Sequence, residues 1–126
     1  MTCAPYSPGL HLILDLFGAE ALTESERLET TLTEAARRAG ASVLATQFRA
    51  FSGGGVTGMV LLAESHISIH TWPEMDFAAV DIFMCGAAKP EAARDWIEAC
   101  LRPKRVVVHR IARGAVQLNQ ASQPSL

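Results

Sequence analysis

Lysine is almost missing from this chain: Lys89 and Lys104 are the only two in 126 residues. An excess charge of either sign is missing as well, with 11 Lys and Arg against 13 Asp and Glu and a formal charge of −2. Without a basic excess to neutralise phosphates, nucleic-acid binding is not expected. No apolar run approaches the ~20 residues of a membrane span. The apolar stretch 10–17 is interrupted by Asp15 and follows no basic residue, so no secretory leader is expected. The three cysteines, Cys3, Cys85 and Cys100, are odd in number and lack C-x-x-C spacing. That argues against a disulfide framework or a zinc ribbon and fits a reducing cytoplasm. Hydrophobic residues make up 49% of the chain, enough for the core of one domain spanning 1–126.

The pattern along the chain alternates between two periods. Residues 1–8 hold two prolines and read as an arm. In 10–17, Leu12, Leu14 and Leu16 share one face of a strand, with His11, Ile13, Asp15 and Phe17 on the other. Thr23-Glu24-Ser25-Glu26 matches a capping box, and Leu28, Leu32, Ala35, Ala36 and Ala39 then recur at helical spacing up to a stop at Gly40. Strand-like spacing returns over 41–51. Ser52-Gly53-Gly54-Gly55 reads as a turn, since no Gly-Lys-Ser/Thr or helix follows as in a phosphate loop. Strands are expected over 59–63 and from Glu64 to Thr71, where Ile67, Ile69 and Thr71 are β-branched. A turn at Trp72-Pro73-Glu74 and a strand over 77–84 follow. Pro90 opens a second helix that buries Ala93, Trp96, Ile97, Cys100 and Leu101, and a last strand covers 105–111. This order predicts an α+β fold: a two-layer sandwich of a mainly antiparallel sheet covered on one face by two helices.

Several side chains in 64–86 carry chemistry, and each has an ordinary alternative. His66 and His70 share one face of a strand but stand roughly 13 Å apart, too far to share a metal. Ser65 lacks the G-x-S-x-G elbow of a serine hydrolase. Cys85 precedes Gly86 at a strand end, where a thiol is either exposed and reactive or a small buried hydrophobe. Decarboxylation of an amino acid needs an electron sink. Pyridoxal phosphate would require a Schiff-base lysine, and both lysines lie near helix ends away from this segment.

Taken together, Gly55-Val56-Thr57-Gly58, then Glu64-Ser65-His66-Ile67-Ser68-Ile69-His70-Thr71-Trp72-Pro73-Glu74, then Asp81-Ile82-Phe83-Met84-Cys85-Gly86 closely resemble the small pyruvoyl-dependent S-adenosylmethionine decarboxylase proenzymes of bacteria and archaea. The resemblance extends from Gly9 to Gly114. It implies a two-layer sandwich working as a homodimer of cleaved protomers, with no metal and no pyridoxal phosphate. It implies self-cleavage between Glu64 and Ser65 into 1–64 and 65–126: the Ser65 hydroxyl attacks the Glu64 carbonyl, the α-proton leaves, and elimination and hydrolysis yield a pyruvoyl group at residue 65. By resemblance His70 is the base that takes the α-proton, Thr57 assists processing by hydrogen bonding, and Cys85 protonates the product carbanion. Phe51 stacks on the adenine of the substrate, and Glu74 holds its ribose hydroxyls. From residues alone, Phe51 is equally readable as core and Glu74 as a solvated turn residue. Ser65 and His70 are five positions apart, so a regular strand puts them on opposite faces, and a bend or bulge is needed if they are to meet.

The chain departs from the family pattern at four points. Thr57 stands where Ser is usual, Arg49 where His precedes the aromatic, Leu10 where a basic residue is frequent, and Asp76 where Gly is common. Asp76 is readable as a turn former or as an acid pairing with a distal amine or guanidinium. The expected activity is decarboxylation of S-adenosylmethionine for spermidine synthesis. Ornithine or arginine decarboxylation on the same scaffold is the alternative, and an uncleaved, non-catalytic binding module is a third reading.

Overall fold

The structure, a computed structural model, describes residues 9–114. The arm 1–8, Cys3 and the tail after Gly114 lie outside the described residues. The elements are β1 (Gly9–Phe17), α1 (Ser25–Arg38), β2 (Val43–Ala50), β3 (Val56–Leu62), β4 (Ser65–Trp72), a 3-10 turn (Pro73–Met75), β5 (Phe77–Met84), α2 (Pro90–Leu101) and β6 (Arg105–Arg113). The strands form one sheet in the order β2-β3-β4-β5-β1-β6, with every neighbouring pair antiparallel. Both helices lie on one face, so the expected two-layer α+β sandwich is the architecture found.

Alternation within the strands builds the core. Leu12, Leu14 and Leu16 of β1 are fully buried, as are Ile67 and Ile69 of β4 and Ile82 of β5. Against them pack Leu28, Leu32 and Ala35 from α1, and Ala93, Ile97 and Leu101 from α2. At roughly 1.5–3 kcal/mol for each large aliphatic side chain removed from water, this layer dominates the fold's stabilisation. Trp96 and Cys100 are only half-buried: Trp96 packs against the edge of the core, and the Arg38 guanidinium covers its ring at 3.6 Å.

Helix ends follow the expected chemistry at one end of α1 and not at the other. At the C-terminus Gly40 adopts φ +84, Ala41 N–H donates to the Ala36 carbonyl and Gly40 N–H to that of Arg37, the paired bonds of a Schellman cap. At the N-terminus the capping box does not form. The cap residue is Glu24, with no side-chain cap bond, and the Thr23 methyl instead packs beside Gly54 of the glycine loop. α2 starts at Pro90 as expected. β6 runs two residues past 111 because β1 offers partners down to the Gly9–Arg113 pair.

Candidate active site

Both ends of β4 carry functional groups. At its start, Ala63 and Glu64 make a two-residue turn closed by the Leu62–Ser65 pair. Glu64 has φ +63 while Ala63 does not share a positive φ, so the second central position of the turn is left-handed, a conformation that favours Gly or Asn. A glutamate there costs about 1–2 kcal/mol. Cys85 follows the last residue of β5, the strand beside β4. Its Sγ lies 3.7 Å from the Glu64 carbonyl oxygen and 3.9 Å from Glu64 Oε1. The thiol, a weak donor, thus points at the carbonyl of the Glu64–Ser65 bond. Sequence reasoning assigns Cys85 to turnover alone and misses this contact. The signal for it is that a turn at 63–64 and a strand end at 84 fall at the same edge once β4 and β5 pair antiparallel.

At the other end, Thr57 pairs with His70 across β3 and β4, and Thr57 Oγ1 lies 3.0 Å from His70 Nδ1. In the tautomer with the proton on Nδ1, the ring donates to Thr57 and leaves the Nε2 lone pair for a base. A cleft of about 360 Å³ opens beside them, lined by Phe51, Gly55, Thr57, His70, Trp72 and Glu74 among others. Phe51 is 51% exposed, so it is not a core residue. Thr71, between His70 and Trp72, points the opposite way and is buried. Its hydroxyl donates to the Leu22 carbonyl at 2.7 Å and accepts the Val56 N–H at 2.8 Å. That pair of bonds clasps the segment ahead of α1 and the start of β3 onto β4. Asp76 takes a left-handed conformation, φ 51, and its carbonyl accepts N–H bonds from Gly18 and Ala19 at 2.8 and 3.3 Å. The turn-forming reading of Asp76 is the one these bonds support.

The two ends do not meet within one chain. β4 pairs without interruption with β3 and β5, so the bend that would bring Ser65 to His70 is not there. Five regular steps separate them by about 16 Å, on opposite faces. His66 clusters with His11 and Phe83, with ring centroids at 6.3 and 5.9 Å and those two rings 5.8 Å from each other. Next to it, Asp81 accepts from Ser68 at 3.4 Å and stands 3.5 Å from His11 Nε2. No group of three metal-binding side chains occurs among the described residues, and no helix among them is long and apolar enough to cross a membrane.

Fold and site together define a two-layer α+β protein with a thiol-flanked Glu-Ser bond at one end of a central strand and an aromatic-walled cleft at the other. The chain belongs to the S-adenosylmethionine decarboxylase family, whose model matches residues 10–114. It is 44% identical over 111 residues to an S-adenosylmethionine decarboxylase proenzyme of Methanococcus maripaludis, covering 86% of this chain and 91% of that protein. A proenzyme of the same name from Thermodesulfovibrio yellowstonii is 37% identical, covering 94% of this chain and 90% of its own length. Among solved structures, the crystal structure of the adenosylmethionine decarboxylase from Aquifex aeolicus superposes with a TM-score of 0.78 at 35% identity, over 95% of this chain and 98% of that one.

Proposed function

We propose that the chain is a self-cleaving, pyruvoyl-dependent decarboxylase of S-adenosylmethionine. The observation that carries the reading is the Cys85 thiol 3.7 Å from the Glu64 carbonyl oxygen, directly before a serine, in a chain of this family. The names of its relatives support S-adenosylmethionine as substrate and lend no support to ornithine or arginine.

The residues at this turn fit a pyruvoyl group made from the chain. Ser65 carries the hydroxyl that attacks the Glu64 carbonyl carbon, exchanging the amide for an ester. Cys85 S–H polarises the carbonyl oxygen as negative charge develops there. The left-handed Glu64 makes the uncleaved turn a strained ground state. Removal of the Ser65 α-proton by a base then expels the 1–64 fragment as its Glu64 carboxylate and leaves dehydroalanine at residue 65, whose imine form is hydrolysed to the pyruvoyl group with release of ammonia. The resulting pyruvoyl carbonyl supplies an electron sink for the amine-bearing carbon of the substrate. Cys85, already at this point, is placed to return a proton to that carbon after carbon dioxide leaves.

His70 meets the chemical requirement for the processing base but lies about 16 Å from Ser65 along its own strand. A second copy laid against the uncovered sheet face, running in the opposite direction, brings its His70 end to this chain's Ser65 end. The uncovered face carries the exposed Trp72, Met59, Leu61 and Ile111, apolar surface that such a copy would bury. The working form is therefore a homodimer with sites shared between copies.

Intact mass of the purified protein tests cleavage, and carbon dioxide release from S-adenosylmethionine, ornithine and arginine tests the substrate. A lasting single species of 13.5 kDa contradicts the pyruvoyl reading. For the shared site, His70→Ala and Ser65→Ala chains are each expected to stay intact alone. Co-refolded, the His70→Ala chain is cleaved because its partner supplies His70. A His70→Ala chain that stays intact in the mixture refutes the shared site, and its full cleavage alone refutes His70 as the base.

A further inference from the structure

The ladder between β3 and β4 ends at the Thr57–His70 pair. One step further, register puts Val56 opposite Thr71, but the bond made there is of another kind. Val56 N–H donates to the Thr71 hydroxyl at 2.8 Å. A side chain thus takes over from the backbone at the last rung before the glycine loop. On its other side Thr71 is fixed by its pairing with Ala78 of β5.

The hydroxyl is also held from a second direction. A threonine O–H has one proton to give and lone pairs with which to accept. Here the proton goes to the Leu22 carbonyl at 2.7 Å, which turns a lone pair toward Val56. Leu22 belongs to a segment that is pinned elsewhere. The N–H groups of Gly18 and Ala19 donate to the Asp76 carbonyl, and that of Glu20 donates to the Leu101 carbonyl. Thr71 is 6% exposed and Val56 1%, so neither bond has water as a ready substitute.

The consequence falls on the next residue of β3. His70 is exposed, and the one side-chain hydrogen bond it makes among the described residues joins its Nδ1 to Thr57 Oγ1 at 3.0 Å. A free imidazole in water favours the proton on Nε2, and a partner at one ring nitrogen is what sets the tautomer. Keeping the lone pair on Nε2 therefore depends on Thr57 standing at this distance. Thr57 is the last residue of its ladder, and the strand beyond it is anchored by Thr71.

We infer that Thr71 is a positioning residue for self-cleavage: its hydroxyl fixes the start of β3, which sets Thr57 against His70 and keeps His70 a base. Without that hydroxyl, the Val56 N–H and the Leu22 carbonyl are buried and unpaired. The start of β3 then relaxes by turning its N–H toward water, and Thr57 is drawn away from His70. This rests on His70 being the processing base, as proposed above. It adds a residue whose side chain points to the opposite face of the sheet from His70.

The uncut Ser65→Ala chain reports the tautomer by nitrogen NMR of the His70 ring. The proton is expected on Nδ1. Adding Thr71→Val, which keeps the shape and removes the hydroxyl, is expected to move it to Nε2, whereas Thr71→Ser leaves it on Nδ1. A proton on Nε2 in the Ser65→Ala chain, or an unchanged tautomer with Thr71→Val, overturns the inference. In a chain that retains Ser65, Thr71→Val is expected to form the 65–126 fragment about 5- to 150-fold more slowly per folded molecule, the range for one buried partner removed. Thr71→Ser should stay close to the parent. Parent-like cleavage by Thr71→Val, or equal damage from Val and Ser, also overturns it. In mixtures of Ser65→Ala and His70→Ala chains, the loss should be larger with Thr71→Val in the chain that supplies His70 than in the chain that is cut. Equal losses from the two placements would mark a purely structural role and overturn it. Should Thr71→Val fail to fold, Thr71→Ala is held to the same outcomes, since a mobile water then reaches the two freed groups without fixing β3. Full cleavage of His70→Ala alone would instead refute the base assignment, an outcome separate from the tautomer reading.

Discussion

The two faces of the sheet are made from alternate residues of the same strands, yet they hold different kinds of side chain. On the face under the helices, Leu12, Leu14, Leu16, Ile67, Ile69, Val80 and Ile82 are buried aliphatics. On the other, their neighbours His11, Asp15, Phe17, Ser68, His70, Trp72, Asp81 and Phe83 are polar or aromatic, set among a few exposed aliphatics such as Met59 and Leu61. The covered face supplies stability through area removed from water, a term with no directional requirement. The uncovered face supplies directed contacts: Thr57 with His70, Ser68 with Asp81, and Trp72 stacked on Phe77 beside the cleft. Thr71 is the exception that links the two. It lies on the covered face, yet both bonds of its hydroxyl hold segments that shape the cleft.

Substitutions on either face sharpen that contrast. The largest effect is expected from Ser65→Ala at the rim of the sheet. The chain stays intact and inactive, with an unchanged unfolding midpoint, as read by mass, carbon dioxide release and denaturation. Cys85→Ala comes next. Because the thiol touches the Glu64 carbonyl as well as serving turnover, cleavage should slow, and the cleaved enzyme should lose about 10²–10⁴-fold in rate; normal values for both would remove Cys85 from the site. On the covered face, Leu14→Ala should cost about 2–5 kcal/mol of stability in denaturant unfolding, while activity per folded molecule holds. The smallest effect belongs to Asp76→Gly, which relieves a left-handed residue and should stabilise by about 1 kcal/mol or less. A loss of substrate affinity in that variant would instead give the carboxylate a binding role.

Much of this was legible in residue order. The alternation in 10–17 separates the two faces of β1 correctly, the expected strand 77–84 coincides with β5, and Pro90 and Gly40 mark helix ends through their own backbone preferences. The capping box at Thr23 was not realised: the helix begins one residue later than the box requires, with Glu24 at the cap and no side-chain cap bond. The separation of Ser65 from His70 was half legible: parity put them on opposite faces, but only the uninterrupted ladders on both sides of β4 exclude a bulge.

By itself, the sequence determined the local elements, the core stripe and the family motif from Glu64 to Gly86, since periodicity, turn chemistry and side-chain type act over a few residues. The tertiary structure decided which distant residues share a site. β1 lies between β5 and β6 rather than beside β2, which lines up Phe17 with Phe77 and Trp72. The pairing of β4 with β5 brings Cys85 to the Glu64 carbonyl across 21 positions of chain. Such meetings depend on strand order and register, which are set by how the whole apolar face is buried at once, and no short stretch of sequence encodes that.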